Sequence, residues 1–382
     1  MAVPPVIRRG ALFAGAFLGP YGGGMTAAML PELGADFGVP TATASVSITA
    51  YLLPFAAVLL VSGTLGERWG RSGTVVAGYV LYVVASLACV LAGSWTLFLA
   101  ARALQGVANA FTTPLLLSAL AASVEPERLG RALGWFGSMQ AAGQTFAPLA
   151  GGLAAELDWR LAFGAAAALA LLLAVIGLPG DAGAHARRTS GPLRLRSAWT
   201  PPVLRLALVA ALGWGCLAGL SFLLALRLED GFALGAGPRG LVLTAFGLTG
   251  ILTARLIGGA VDRLGPRRCV LAGAVGGGAL VAGVGAVPLL WAVVTLWALG
   301  GVCGQLILVG LNTLVLSSRG PNNGGAVSVV QAGRFAGAAT APALVTPIYH
   351  ADPLAGFLVP AGLLAAGAPA LLALDRNPDR WT

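Results

Sequence analysis

Gly63-Thr-Leu-Gly-Glu67-Arg68-Trp-Gly70 recurs 195 residues further on as Gly258-Gly-Ala-Val-Asp262-Arg263-Leu-Gly265, keeping the acid, the arginine and both outer glycines. At the same offset of 195, Arg102-Ala-Leu-Gln-Gly106-Val107 returns as Trp297-Ala-Leu-Gly-Gly301-Val302. At an offset of 194, Gly143-Gln-Thr-Phe-Ala147-Pro148 returns as Gly337-Ala-Ala-Thr-Ala341-Pro342. Three colinear matches make the chain a tandem of two similar units in the same orientation.

Each unit is built from apolar runs. The 382 residues are 57% hydrophobic and 10% charged, and runs of about 20 residues, the length that crosses a bilayer as helix, recur from end to end. Lipid offers the backbone no hydrogen-bonding partner, so spanning segments are helices or closed barrels. The runs are continuous, without the period-two alternation of barrel strands, which leaves helices. They fall at 11–31, 44–65, 74–93, 96–122, 131–155, 160–179, 203–226, 238–261, 268–287, 289–317, 324–349 and 353–374. The predicted fold is an all-α membrane protein of twelve transmembrane helices in two pseudo-symmetric six-helix bundles, 1–180 and 203–382, joined by a Gly-, Pro- and Arg-rich cytoplasmic linker at 181–202.

Charge orients this array. All 23 basic residues are arginine; with a cytoplasmic N-terminus, 17 fall in cytoplasmic segments, three in external loops (Arg160, Arg227, Arg239) and three within spans (Arg102, Arg255, Arg334). The positive-inside rule therefore puts both termini in the cytoplasm of an inner-membrane, multi-pass protein. Arginines grouped beside span ends act as topology determinants, so the net charge of +9 does not point to nucleic acid. Arg8 and Arg9 before an apolar run resemble a signal segment, but the run lacks a small-residue cleavage pattern and reads as an uncleaved first helix. Cys89, Cys216, Cys269 and Cys303 are scattered, which indicates neither a disulfide framework nor a metal site. No nucleophile-base pair appears in the spans, so an enzyme is not expected, nor is a cofactor.

Two parallel six-helix repeats around a central site are the architecture of a class of transporters, in which rocking of the halves alternates access. The residues Gly63 through Arg71, including Gly70, resemble motif A of the major facilitator superfamily, and Gly258 through Arg268 resemble its second copy, with Glu67 where the family usually has Asp. Arg102, Gln105 and Gly106 resemble motif B. Gly134, Gly143, Pro148, Gly151 and Gly152 fall at the spacing of motif C, with Ala147 replacing one glycine. The last pattern resembles that of the drug:proton antiporter branch and implies efflux. The resemblance also implies that Gly63, Glu67, Arg68, Gly70, Arg71, Asp262, Arg263 and Gly265 gate the cytoplasmic side, and we add Arg255 to this group from its place at the end of span 8.

Read without the family, the glycines would serve close helix packing and the motif A charges would be solvated loop residues. In span 5 the row Gly143, Ala147, Gly151 steps by four and forms a smooth ridge, and Pro148 can kink the helix. An arginine in mid-helix costs on the order of 3 kcal/mol on insertion scales, so Arg102 and Arg334 should face the bundle interior or a wet cavity. Arg102, Gln105, Asn109 and Thr112 make one polar stripe on span 4, repeated on span 10 as Trp297, Gly301, Gln305 and Asn312. The resemblance to motif B implies that Arg102 hydrogen-bonds to the glycine-broken backbone of span 1 near Tyr21. Gln331 lies one turn before Arg334, and the repeat sets Gln140 opposite it, with Gln144 a turn on. Tyr21 and Met25 of span 1, Trp214 of span 7 and Phe246 of span 8 complete the candidate substrate cavity, although aromatic residues at such places also face lipid or core.

All 14 acidic residues fall in loops or at span ends. Glu32 and Asp36, just beyond span 1, are then the nearest candidates for proton coupling. The expected activity is proton-coupled efflux of small organic molecules by a monomer in the lipid bilayer. The alternative is transport of small organic or inorganic anions in either direction, through a basic cavity; a transporter-like sensor is a third reading.

Overall fold

The computed structural model describes residues 4–178, 199–317 and 323–374, with the side chains of 5–6, 63–64, 67, 121–122, 126–131, 133–134, 316–317 and 323–325 outside that description. The expectations for Gly63, Glu67 and Gly134, and for most of the linker 181–202, thus lie outside the described residues. Those that are described form helices without strands.

The helices are α1 (Pro5–Gly24), α2 (Leu30–Phe37), α3 (Thr41–Ala44), α4 (Val46–Trp69), α5 (Arg71–Val90), α6 (Trp95–Ser123), α7 (Pro126–Ala155), α8 (Arg160–Ile176), α9 (Pro201–Gly215), α10 (Ser221–Phe232), α11 (Ala236–Leu264), α12 (Pro266–Ala286), α13 (Leu290–Ser317), α14 (Asn323–Ala351) and α15 (Pro353–Ala373). Every apolar segment of the sequence coincides with one helix or a broken pair. Among the described residues eight stretches are long and apolar enough to cross a membrane, including Arg71–Val90, Pro201–Phe232 and Pro353–Ala373, and Arg160–Ile176 is apolar over a shorter length.

Two segments expected to be continuous are broken. The first ends as an α-helix at Gly24, passes through a 3-10 turn at Met25–Ala28 and restarts at Leu30. Three successive glycines hold helix poorly, and Pro31, without an N–H to offer, fits the first turn of a new helix. The seventh breaks after Gly215 at Leu217 (φ −139°, ψ −81°) and resumes at Ser221. Two arginines expected in loops are in helices: Arg227 is within α10, and Arg239 is in the first turn of α11 with 2% exposure.

The repeat of the sequence is a repeat of backbone. Gly70 between α4 and α5 and Gly265 between α11 and α12 both take positive φ (98° and 86°), which a side chain disfavours. Gly106 of α6 packs directly on the carbonyl of Tyr51 in α4, and Gly301 of α13 on the carbonyl of Phe246 in α11. Within one half α4 packs on α6, α5 on α6 and α8, and α1 on α7; within the other, α11 packs on α13, α12 on α13 and α15, and α9 on α14. The halves meet mainly where α7 packs on α11 and α4 on α14. By the repeat, α4 corresponds to α11 and α7 to α14, so the two contacts are copies of one interface.

Candidate functional site

Those two interfaces are packed at one end, the end that carries Glu32. On the α4/α14 side the Thr49 hydroxyl donates to the Ala339 carbonyl, Ser45 and Thr346 hydroxyls lie 3.3 Å apart, and the Phe55 ring meets Phe335 edge-on at 4.8 Å. On the α7/α11 side Gly240 rests on the Pro148 carbonyl, Gly152 on the Ala236 carbonyl and Gly247 on the Thr145 side chain. Glu156 accepts from the Gly237 N–H at 2.7 Å, capping α11.

The ridge read from span 5 docks here. Gly143 meets the Phe17 carbonyl, Ala147 meets Gly24, and Gly151 meets the Met25 carbonyl, so α7 lies against the broken first segment with no room for a larger side chain. Arg239 clamps the same end across the halves: its Nη2 donates to Glu32 Oε1, its Nε donates to the Ala28 carbonyl at 3.2 Å, and its Nη1 lies 3.6 Å from Glu229. Sequence reasoning missed this residue because it follows Pro238 and looked like loop. Asp36 pairs instead with Arg160 at 2.7 Å, within its own half.

At the opposite end most of the motif A side chains that are described face outward. Arg68, Arg255, Asp262 and Arg263 are exposed, and no neighbour approaches Gly258, Gly259 or Gly265 where a side chain would project. Arg71 is half-buried and donates to the Ser118 carbonyl of α6 at 3.5 Å.

The polar stripe of α6 is enclosed within one half. Arg102 is fully buried, and donates from Nε to the Ser47 carbonyl (3.4 Å) and from Nη1 to the Gly22 carbonyl (3.1 Å) and Gln105 Oε1 (2.8 Å). Its guanidinium also lies 4.5 Å over the Tyr51 ring. The bond to Gly22 is the one expected from the glycine-broken first segment. Gln105 in turn donates to Ser86 Oγ at 2.7 Å, and Asn109 is buried beside Gly19. Tyr21 and Met25 are buried as well.

In the other half Trp297 occupies the place of Arg102. Its indole N–H donates to the Leu243 carbonyl at 3.2 Å and its ring packs 4.9 Å from Phe246. Gln140, Gln305, Asn312 and Gln331 are half-buried and Gln144 is exposed. Arg334 of α14, partly exposed, lies against Trp214 and Phe335, its guanidinium carbon 4.5 Å from each ring centroid. Its Nε is buried without a hydrogen-bond partner, as is the Trp214 indole nitrogen.

Comparison with known proteins agrees with this architecture. Puromycin resistance protein pur8 of Streptomyces alboniger is 38% identical over 174 residues, which cover 44% of this chain and 33% of that protein. Drug efflux pump JefA of Mycobacterium tuberculosis is 38% identical over 119 residues, 31% of this chain and 23% of that protein. The chain thus spans about a quarter to a third of the length of these curated relatives. A bacterial homologue of the human lysosomal transporter Spinster, solved inward-facing and occupied, superposes with a TM-score of 0.74 at 17% identity, covering 98% of this chain and 92% of its own. The human organic anion transporter MFSD10 gives 0.68 at 18% identity over 96% and 99%. These likenesses establish the fold, and the model of the Major Facilitator Superfamily matches residues 12–239 and 232–382. Matched along nearly its whole length, this helical multi-pass membrane protein belongs to the major facilitator superfamily.

Proposed function

We propose that the chain is a twelve-span secondary transporter of the inner membrane, working as a monomer by alternating access, with halves 1–180 and 203–382 and a linker at 181–202. It exports small organic molecules in exchange for protons. The observation that carries this reading is the asymmetry of the repeated interface, packed at the Glu32 end while most of the described motif A side chains face outward at the other. With the arginine-rich loops in the cytoplasm, the conformation is closed outside and open inside. The names of the two bacterial relatives, a resistance protein and an efflux pump, favour export.

The reading gives each group of residues a task. Gly143, Ala147, Gly151 and Gly152 seal the external side. Glu67, Arg68, Asp262, Arg263 and Arg255 close the cytoplasmic side in the opposite state. Gln140, Gln144, Phe246, Gln305, Asn312, Gln331 and Arg334 line the substrate path. Glu32, rather than Asp36, couples to protons: its partner Arg239 lies in the other half and leaves when the external face opens, so a proton can take its place. In proteoliposomes carrying an imposed pH gradient, puromycin should be driven against its own gradient by wild type, and Glu32→Gln should uncouple that movement. No puromycin flux under either gradient would overturn export of this class, and full gradient response in Glu32→Gln would overturn the assignment of the coupling acid.

A further inference from the structure

Arg334 is a cation with two rings against its guanidinium and an unmet hydrogen bond at its Nε. Trp214 and Phe335 supply π-faces that stabilise the charge and fix its plane. Neither ring can accept the Nε–H, which is buried without a partner. Trp214 is 7% exposed, and its own indole N–H is likewise buried and unpartnered. Buried donors in folded proteins nearly always find an acceptor, because leaving one unmet is costly. Other buried donors lack a partner too, Arg102 Nη2 and Arg227 Nε among them, but here two fall on residues in contact, beside a positive charge that pairs with no acid among the described residues, and together they describe half of a binding site.

Its place in the fold says what completes it. The Phe335 ring also meets Phe55 across the halves, and the other α4/α14 contacts, Thr49 with Ala339 and Ser45 with Thr346, lie beyond this pair toward the Glu32 end. Arg334 therefore sits where the packed interface ends. Donors alone, with one positive charge, favour an acceptor carrying one negative charge. A carboxylate offers two oxygens to two N–H groups and neutralises the guanidinium. The walls are Trp214, Phe335 and Phe55, which suit a flat apolar body.

We propose that Arg334 and Trp214 form the recognition point for the carboxylate of a small aromatic organic acid, so that the transported class includes such anions. Its place in a transport cycle rests on the transporter reading above, but binding can be measured without transport. The full chain, purified in detergent, is titrated by calorimetry with 1-naphthoate and with its neutral amide, 1-naphthamide. Wild type should bind the carboxylate at least roughly tenfold more tightly than the amide, the scale of one charge-assisted hydrogen bond. Arg334→Gln should erase that preference, and Arg334→Lys should restore part of it, because a point charge lacks the planar fork. Trp214→Phe, which keeps a ring and deletes the N–H, should weaken the carboxylate several-fold and leave the amide nearly unchanged. Monodisperse elution and the unliganded melting temperature establish that the variants are folded. Equal binding of acid and amide by wild type, absence of naphthoate binding, or a preference that survives in folded Arg334→Gln would each overturn the proposal. Gradient-driven puromycin flux alongside any of these would leave the transporter reading standing.

Discussion

Two arginines sit within the helical core, and they differ in who meets their hydrogen-bonding needs. Arg102 spends Nε and Nη1 on two carbonyls and an amide of its own half and lies near the rings of Tyr51 and Phe163, which leaves only its Nη2 without a partner. Arg334 has two rings and an orphan Nε. A third, Arg239, is buried to the same degree as Arg102 but takes its carboxylate, Glu32, from the opposite half. On the present reading the location of the partner separates three tasks: holding one half together, holding two halves together in one state, and waiting for a ligand. The repeat sharpens the point, because Trp297 replaces Arg102 with Phe246 at the place of Tyr51, so a tryptophan N–H and an aromatic pair suffice to brace span 4's counterpart.

The largest expected effect tests the first of these tasks. Arg102→Leu takes a hydrogen bond from the carbonyls of Gly22 and Ser47 and leaves the amide oxygen of Gln105 with only the weak Cys89 thiol donor in a dry interior, at a cost of about 1–3 kcal/mol for each group left short. Folded yield and melting temperature in detergent should both fall steeply. Arg334→Leu removes a cation with an unmet donor and should leave the melting temperature unchanged or raise it. Equal destabilisation by the two substitutions would break the distinction between a structural and a receptive arginine.

A smaller effect is expected for the cross-half pair, which acts on the balance of states rather than on folding. Glu32→Gln or Arg239→Gln should shift the population toward an open Glu32 end by roughly tenfold, about 1.4 kcal/mol. Spin labels at Leu157 and Asp352, exposed residues at that end on opposite halves, would report the change as a longer distance. The charge swap Glu32→Arg with Arg239→Glu should recover part of the short distance. An unchanged distance distribution in both single variants would mean that the interface is held by helix packing alone, through Gly151, Gly152 and Gly240.

Much of this was legible in the sequence because membrane insertion constrains it so strongly. Apolar runs located the helices, the 195-residue repeat paired Gly70 with Gly265, which both take positive φ, and the resemblance to motif B pointed from Arg102 to the first segment, where Gly22 accepts its bond. The breaks at Met25–Ala28 and Leu217 escaped because hydropathy continues across them while the backbone does not. Arg239 escaped because Pro and Gly next to a charge signal a loop, and only the fold brings Glu32, some two hundred residues earlier, against it. The stack around Arg334 was out of reach for the same reason: Trp214 belongs to another helix, and nothing in its spacing announces an unpaired indole N–H.

The smallest effect on stability should come from the arginines and acids that stand alone. Asp262 and Arg263 are exposed at the end of α11, beside a glycine turn, and neither appears in an ion pair among the described residues. Their removal costs this conformation nothing that is visible in its contacts, so Asp262→Asn and Arg263→Ala should change folding stability by no more than about 0.5 kcal/mol. Their task on the present reading belongs to the opposite state, in which the two motif A turns come together and close this end. Weakening that state raises the barrier to reaching it and shifts the population further toward the conformation described above. Transport by both variants should therefore slow although the melting temperature holds, and the separation of labels at this end should gain in its longer component. Such a split, activity lost with stability kept, is what distinguishes a latch that acts in one state from a solvated loop charge that acts in neither. Unchanged transport in Asp262→Asn, in Arg263→Ala and in the two combined would leave the solvated-charge reading in possession of the field.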